Sequence, residues 1–492
     1  MNTQSDEASN PVHQHQVDVG SQADGQGLVG RAFDVLREAH RAEPYPSHRT
    51  RIEKLANLHA FLKDEAETIA DTISADFGSR SRHETRLLEV FKCLERIRYI
   101  QRNLETWMRP SGRAVPVTML PGRAKIHYVP LGVVGVIAPW NYPVQLSVVP
   151  TAYAIAAGNR VLLKPSEFVP RTSALLAERL SSLLGSQWVQ VVTGGPSVAE
   201  AVARSPLDHL IFTGSTAVGR RVMRAAAENL VPLTLELGGK SPCLVHPTFP
   251  VRKAAERIAY AKWLNGGQTC VGPDYVLIHE DMKNAFVEAM VRVTERFYPT
   301  LAENPDYTAV ISERHVARLT DLVRDAEGKG AKKTEINPAG ELFPTALGKF
   351  VPTILTDVRE DMAVMQEEIF GPVLPVLSYR NLAEALAYIA ERPKPLAFYY
   401  FDLDPNRVDM VLEATQSGGA SINDVGLQWA VDDLPFGGVG PSGMGAYHGV
   451  DGFSNLSHKR SVFYQAKLNA TGLANPPFGA KADRILKFLI GR

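Results

Sequence analysis

Of the three cysteines in the chain, Cys93 and Cys243 sit inside apolar runs, whereas Cys270 stands on a glycine-rich loop, NGGQTCVG, at residues 265–272. Apolar runs are where buried structural cysteines belong. A thiol on a loop of this kind is within reach of nearby donors that raise its thiolate fraction, and the thiolate is a strong nucleophile. A second chemistry-bearing residue is Glu236 in LELGGK, residues 235–240, where a carboxylate leaves an apolar run ahead of a Gly-Gly pair. Apolar company raises the pKa of a glutamate and suits it to general-base work, worth roughly 10²–10⁴ in rate. A solvated glutamate before a turn gives the same local sequence. A third is Asn141 in APWNYP, residues 138–143, between an apolar run and a helical stretch. Its side chain is placed either to donate to a developing oxyanion, worth on the order of 10²–10³, or to cap the helix that follows.

Two further segments have the make-up of a nucleotide cradle. In LLKPSE, residues 162–167, Lys164 and Glu167 stand three apart, suited to the two hydroxyls of a ribose or to a solvated surface pair. In IFTGSTAVG, residues 211–219, Gly214 permits a tight turn, and a helix beginning near Ser215 offers free N–H groups to a phosphate. With Gly219 this is only part of a G-x-G-x-x-G pattern. A nucleophile, a base, an oxyanion donor and a nucleotide cradle are together the parts of a thiol-dependent dehydrogenase.

The elements that must position these residues follow from periodicity. Residues 29–109 interleave charged and apolar positions at helical spacing, and Pro110, Gly112 and Pro116 end that region. Residues 123–129 alternate as a strand does. From residue 132, strands at 133–138, 160–164, 189–193, 209–212 and 233–235 alternate with helices at 143–157, 172–184, 198–203 and 219–229. Such alternation predicts a doubly wound parallel sheet. A second α/β region spans 238–419, with helices at 251–263, 283–297 and 313–329 and a strand at 275–278. Residues 418–452 are glycine-dense and irregular, and strand character returns at 461–465.

Bulk properties narrow the class. A chain of 492 residues needs two or more domains. Hydrophobic residues at 45% and charged residues at 22% are ordinary for a globular protein. Basic and acidic residues balance at 53 each, so no global field favours nucleic acid or an anionic membrane. Three cysteines without CxxC spacing fit neither a disulfide scaffold nor a metal site, which points to a reducing, cytoplasmic compartment. Residues 1–27 are polar and lack the apolar core of a secretory signal, so a disordered tail is expected, with His13 and His15 solvated. No apolar run reaches the roughly 18–20 residues of a spanning helix. The short apolar-periodic stretch 482–491 is expected to dock on the body of the protein.

In this order the motifs closely resemble the aldehyde dehydrogenase superfamily, over residues 29–464. EEIFGP at 367–372 and LPFGGVGPSG at 434–443 complete the set. The resemblance implies that Cys270 is the nucleophile, that Asn141 and the Cys270 backbone N–H form the oxyanion hole, and that Glu236 activates the deacylating water. It implies that Lys164 and Glu167 hold the adenine ribose, that Trp140 and Ser215 approach the pyrophosphate, and that Glu368 binds the nicotinamide ribose with Phe370 beside the nicotinamide. The implied layout is a cofactor domain (28–111 and 131–237), a catalytic domain (238–419), a catalytic or linker loop (420–451), small oligomerisation strands (112–130 and 452–465) and a C-terminal tail with a short helix (466–492). NAD is the implied cofactor, with NADP possible, since Glu167 repels a 2′-phosphate. A small-molecule aldehyde is the implied partner, in a homodimer with no integral membrane anchor. FGSRSRHE (77–84), AYHG (446–449), SHKR (457–460) and the PPF and DRILK pieces of the tail are similar to the class 3 and fatty-aldehyde branch, and within it to coniferyl aldehyde dehydrogenases. His448 and His458 read as structural or interface residues. The alternatives are a fatty or general aromatic aldehyde dehydrogenase, transfer to coenzyme A, and a catalytically silent structural homologue. Glu236 argues against the coenzyme A route, and the retained cysteine and base argue against a silent fold.

Overall fold

The structure is a computed structural model, and it describes residues 22–342, 348–469, 472 and 475–491. Three sheets organise it. The smallest is antiparallel, in the order β1 (Ser111–Arg113), β2 (Arg123–Pro130), β16 (Ser457–Tyr464). The second holds β3 (Val133–Ile137), β4 (Arg160–Lys164), β5 (Val189–Val191), β6 (His209–Thr213), β7 (Leu233–Glu236) and β15 (Gly443–Met444), in the order β15-β7-β6-β3-β4-β5. All pairs in it are parallel except β15 on β7. The third holds β8 (Pro242–Val245), β9 (Tyr275–His279), β10 (Lys332–Glu335), β11 (Thr353–Thr356), β12 (Val373–Tyr379), β13 (Ala397–Phe401) and β14 (Gly419–Ile422), in the order β10-β11-β12-β9-β8-β13-β14. Only its edge strand β10 is antiparallel.

The residue pattern accounts for this. β3, β4, β8 and β13 are buried at every position, as strands covered on both faces must be, which is why they read as continuous apolar runs rather than as alternation. The helix Gln145–Ala156 is likewise buried at all of its positions and carries Pro150 inside it. Pro150 has no N–H to give an intrahelical bond. The helix Lys92–Met108 instead buries one stripe, Cys93, Arg96, Ile97, Ile100, Leu104 and Trp107, against this part of the core.

In the second sheet the chain runs β3-β4-β5 outward, then returns to the other side of β3 for β6 and β7. Its topological switch point therefore lies between β3 and β6, where open α/β sheets take their ligands. A short connection, residues 237–241, leads from the carboxyl end of β7 into the amino end of β8. The two large sheets thus meet end to end, carboxyl ends of β3, β6 and β7 against the segments that enter β8, β9 and β12.

Several expectations are corrected. Gln22–Ala42 is one helix, so residues 22–27 are not part of an unstructured tail; residues 1–21, with His13 and His15, lie outside the described residues. The span 420–451 is not a plain loop. β14 crosses its start, Leu427–Ala430 is a helical turn, and β15 joins the second sheet. Residues 452–455 belong to the helix Gly449–Asn455, and β16 begins only at Ser457. The strands β8 and β10 to β14 are not foreseen by the periodicity, which marks only the one at 275–278 in this region. The C-terminal helix Ala480–Ile490 does not dock as expected, for it buries none of its residues. Among the described residues no helix is long and apolar enough to cross a membrane.

Candidate functional site

The Cys270 loop is built from left-handed backbone. Asn265, Gly266 and Gly267 take φ of 53°, 59° and 75° in succession. A Cβ on Gly266 would come within 2.9 Å of the Thr308 carbonyl oxygen, and one on Gly267 would strike the Gly371 backbone, so the Gly-Gly pair is a packing requirement. Gln268 locks the turn. Its Nε2 donates to the carbonyls of Asn265 at 2.8 Å and Ala309 at 3.0 Å, and its Oε1 accepts from the Ile311 N–H at 2.9 Å.

Asn141 is tied to the same loop. Its Nδ2 donates to the Gln268 carbonyl at 3.1 Å, while its own carbonyl accepts from Asn265 Nδ2 at 3.0 Å and from Arg80 Nη1 at 2.9 Å. Tyr142 and Thr269 share a hydroxyl hydrogen bond at 2.7 Å. Behind them, Arg80 and Glu89 form a fully buried ion pair at 2.9 Å, and Glu89 Oε2 accepts the N–H groups of Val144 and Gln145 where the helix Gln145–Ala156 starts. Asn141 is therefore not the cap of that helix; Glu89 satisfies its free N–H groups. Glu84 supports the other side, accepting the Asn265 N–H and the Thr308 hydroxyl, and burial raises its pKa to about 7.

One cavity of about 320 Å³ collects Trp140, Asn141, Gly214, Ser215, Glu236, Cys270, Glu368 and Phe370. It lies at the switch point, between the ends of the two large sheets. Cys270 is half-buried there, on a turn ahead of β9 rather than at a helix N-terminus. Burial and the neighbouring Glu368 and Glu236 carboxylates push its thiol up to about 12, against the backbone N–H groups of Val271 and Cys270, which act in the opposite direction. The donors expected from the sequence are present in those N–H groups, but burial outweighs them.

Glu236 ends β7, is 3% exposed, and neither carboxylate oxygen has a hydrogen-bond partner among the described residues. Burial alone raises its pKa well above the ordinary carboxylate value. Glu368 lies across the Gly238 and Gly239 backbone, so closely that a Cβ on Gly238 would collide with its carboxylate. Burial first, then Asp274, raises its pKa to about 8. The segment around it is clamped. Asp274 Oδ1 accepts the Ile369 N–H at 2.9 Å, and Arg318 binds the carbonyls of Glu368 and Ile369. Lys240 pairs with Asp274 and donates to the carbonyls of Val364 and Glu367 at 2.8 and 2.9 Å. Phe370, held at φ 51°, meets Trp140 edge to face at 5.5 Å.

The remaining residues expected to hold a cofactor lie at and beyond the carboxyl ends of β4 and β6. Ser215 is the N-cap of the helix Thr216–Ala227, so that helix points its free N–H groups at the cavity. Gly219 is inside that helix, where a Cβ would stand 2.7 Å from the Leu237 side chain; its smallness brings the helix onto the sheet. Lys164 and Glu167 do not line the cavity but pair at 2.5 Å at the end of β4, with Lys164 buried. Sequence reasoning did not single out His315, Arg318, Phe436 or Tyr447, all of which line the cavity, nor the supports Arg80, Glu84, Glu89, Asn265 and Gln268. Phe436, Tyr447, Arg80, Glu84, Asn265 and Gln268 all fall within the motifs quoted above. Arg318 sits on an amphipathic helix with no local signal. His448, buried and bonded to Arg96 at 2.6 Å, belongs to the packing behind Tyr447.

Comparison with known proteins agrees with this geometry. The aldehyde dehydrogenase family model matches residues 2–462. The probable coniferyl aldehyde dehydrogenase of Pseudomonas aeruginosa is 46% identical over 460 residues, covering 94% of this chain and 96% of that protein. The coniferyl aldehyde dehydrogenase of Pseudomonas sp. strain HR199 is 42% identical, covering 95% and 97%. Among solved structures, substrate-bound AldH of Staphylococcus aureus superposes with a TM-score of 0.88 at 35% identity, covering 94% of this chain and 99% of that one.

Proposed function

Because the chain belongs to the aldehyde dehydrogenase family, we propose that its aldehyde is coniferyl aldehyde or a closely related aromatic, unsaturated one, oxidised to the carboxylic acid with NAD⁺. The observation that supports the assigned chemistry is the gathering of Cys270, Glu236 and Asn141 in one cavity at the switch point of a doubly wound sheet. The coniferyl assignment rests on the relatives named above.

The crevice fits a dinucleotide. The Ser215 helix N-terminus suits a pyrophosphate, with Trp140 beside it. The Lys164–Glu167 pair suits the adenine ribose, and Glu167 disfavours a 2′-phosphate, hence NAD over NADP. The half-buried Glu368 carboxyl, its pKa raised by burial and by Asp274, suits the hydroxyls of the nicotinamide ribose. Bound there, NAD⁺ would supply a hydride acceptor and a positive charge.

The chain's own residues do the rest. Cys270 attacks the aldehyde carbon as the thiolate, its proton having passed to solvent. Asn141 Nδ2 and the Cys270 N–H donate to the oxygen of the thiohemiacetal, and the clamp through Arg80, Asn265 and Gln268 holds those donors without reorganisation. Oxidation leaves a thioester on Cys270. Glu236, with a raised pKa and no competing partner, takes the proton of the water that hydrolyses it. The three-stranded sheet β1-β2-β16 is the surface through which two copies pair in a cytoplasmic homodimer.

A panel of coniferyl aldehyde, benzaldehyde and decanal, each with NAD⁺ and NADP⁺, tests the assignment. Highest kcat/KM for coniferyl aldehyde with NAD⁺, abolished by Cys270→Ala, is expected; faster turnover of decanal would move the protein to the fatty-aldehyde reading. Product formed only with coenzyme A present would overturn the hydrolytic step.

A further inference from the structure

Tyr447 is fully buried, lines the catalytic cavity, and has a hydroxyl with no hydrogen-bond partner among the described residues. Its ring is fixed, edge to face with His448 at 4.8 Å and with Phe436 at 6.4 Å. His448 is in turn stacked on Phe436 at 5.1 Å and bonded to Arg96. The ring therefore cannot swing away to find solvent. A buried, unpaired hydroxyl lowers stability, and native structures keep one only where something else completes it. Glu236 and Cys270 line the same cavity, which places all three groups around one space. Both Glu236 oxygens face that space unpaired as well. Burial holds the phenol neutral across the working pH range, so it is a hydrogen-bond donor there.

We infer that the Tyr447 hydroxyl and the Glu236 carboxylate together hold the water that hydrolyses the Cys270 thioester, Tyr447 donating to the water oxygen and Glu236 accepting one of its protons. The inference rests on the thioester mechanism proposed above and adds a second residue to its last step. The water oxygen bonds to the acyl carbon, its proton passes to Glu236, and the carbon–sulfur bond breaks with its electron pair on Cys270, giving the free acid and the thiolate. One donor and one acceptor fix the water and leave its remaining lone pair aimed at the acyl carbon. A hydrolytic water held by Glu236 alone would be free to rotate about a single hydrogen bond.

Tyr447→Phe removes only the oxygen, and relieves an unpaired hydroxyl, so its melting temperature should equal or exceed that of the parent. The test is a single turnover with excess NAD⁺ and limiting coniferyl aldehyde, following NADH by absorbance and the Cys270 thioester by intact mass after acid quench. NADH should form within twofold of the parental rate, while thioester decay slows by about ten- to a hundred-fold, the usual worth of a hydrogen bond to a charged or reacting group. Hydroxylamine, a better nucleophile than water, should restore thioester cleavage. In a Glu236→Gln background the same substitution should change decay by less than twofold, because both groups hold one water. Parental decay in Tyr447→Phe, or an equal slowing of NADH formation, would refute the assignment, as would full additivity with Glu236→Gln. A parental enzyme that forms NADH but no thioester refutes the mechanism beneath it, and one that forms no NADH refutes the functional reading itself.

Discussion

At the scale of single residues, the site is set by groups kept out of water rather than by preformed charges. Cys270 is the clearest case. With its thiol at about 12, the thiolate fraction near pH 7 is very small. Because the pKa is raised, the reactive form appears only as pH rises. Iodoacetamide alkylation of Cys270 in the cofactor-free protein should therefore climb about tenfold per pH unit between pH 8 and 10. Adding NAD⁺ should accelerate it at fixed pH, because a cation beside the sulfur favours the thiolate. Alkylation that is already fast and pH-independent at pH 7 would show that the thiol is activated without cofactor. Glu236 makes the complementary prediction. Glu236→Gln keeps the shape and removes the base, so one equivalent of NADH should appear in a burst and the following steady rate should fall by roughly 10²–10⁴. The amino-acid types at these positions, and their order, were readable from the sequence. The raised thiol pKa was not, because it comes first from burial in the assembled fold and then from Glu368 and Glu236, 98 and 34 residues away in the chain.

At the scale of elements, two clamps carry the geometry. The Arg80–Glu89 pair joins the segment ahead of the helix Arg82–Thr85 to the start of the helix Gln145–Ala156 and fixes Asn141 through its carbonyl. Glu89→Gln leaves the Arg80 charge buried without its partner, a change that typically costs about 3–5 kcal/mol, so the melting temperature should drop and kcat with it. The Lys240–Asp274 pair acts on the other side of the cavity, holding the segment with Glu368 and Phe370. Asp274→Asn should raise KM for NAD⁺ well above its effect on the cofactor-independent hydrolysis of a 4-nitrophenyl ester by Cys270. An equal loss in both activities would mean that the substitution damages the nucleophile loop as well. Neither clamp announces itself in the sequence. The helices 251–263 and 283–297 were readable because each buries one stripe and turns the other to solvent. Strands β10 to β13 were not. β10 is an exposed charged edge, Lys332–Glu335, and β12 contains Pro375, a residue that argues against a central strand. β15 is two residues long and exists only because β7 offers it an edge.

At the scale of the whole molecule, the described chain leaves two apolar surfaces exposed, and they call for different readings. The C-terminal helix presents Leu486, Phe488, Leu489 and Ile490 without burying any of them. The other surface belongs to the small sheet. Between β1 and β2, Val117 is 83% exposed, with Met119 and Leu120 about half exposed, and Phe463 and Tyr464 of β16 lie on the same sheet. Three antiparallel strands with one outer row unpaired at the β16 edge have both an apolar face and free backbone groups, which a second copy can satisfy together and which solvent satisfies only in part. The sheet stands apart from the two large sheets in hydrogen bonding, so a change on it need not reach the catalytic cavity. Paired substitutions Val117→Asp and Leu120→Asp place two charges per copy in that face, and a twofold interface doubles them into mutual repulsion. Sedimentation equilibrium should then find one chain's mass, 53.9 kDa, where the parent, as the proposed homodimer, should give twice that value. The fold of the isolated chain, followed by circular dichroism, should survive, since none of these side chains belongs to the core. An unchanged mass would show that the copies meet elsewhere, and the exposed C-terminal helix would then be the next surface to remove, by ending the chain after residue 465.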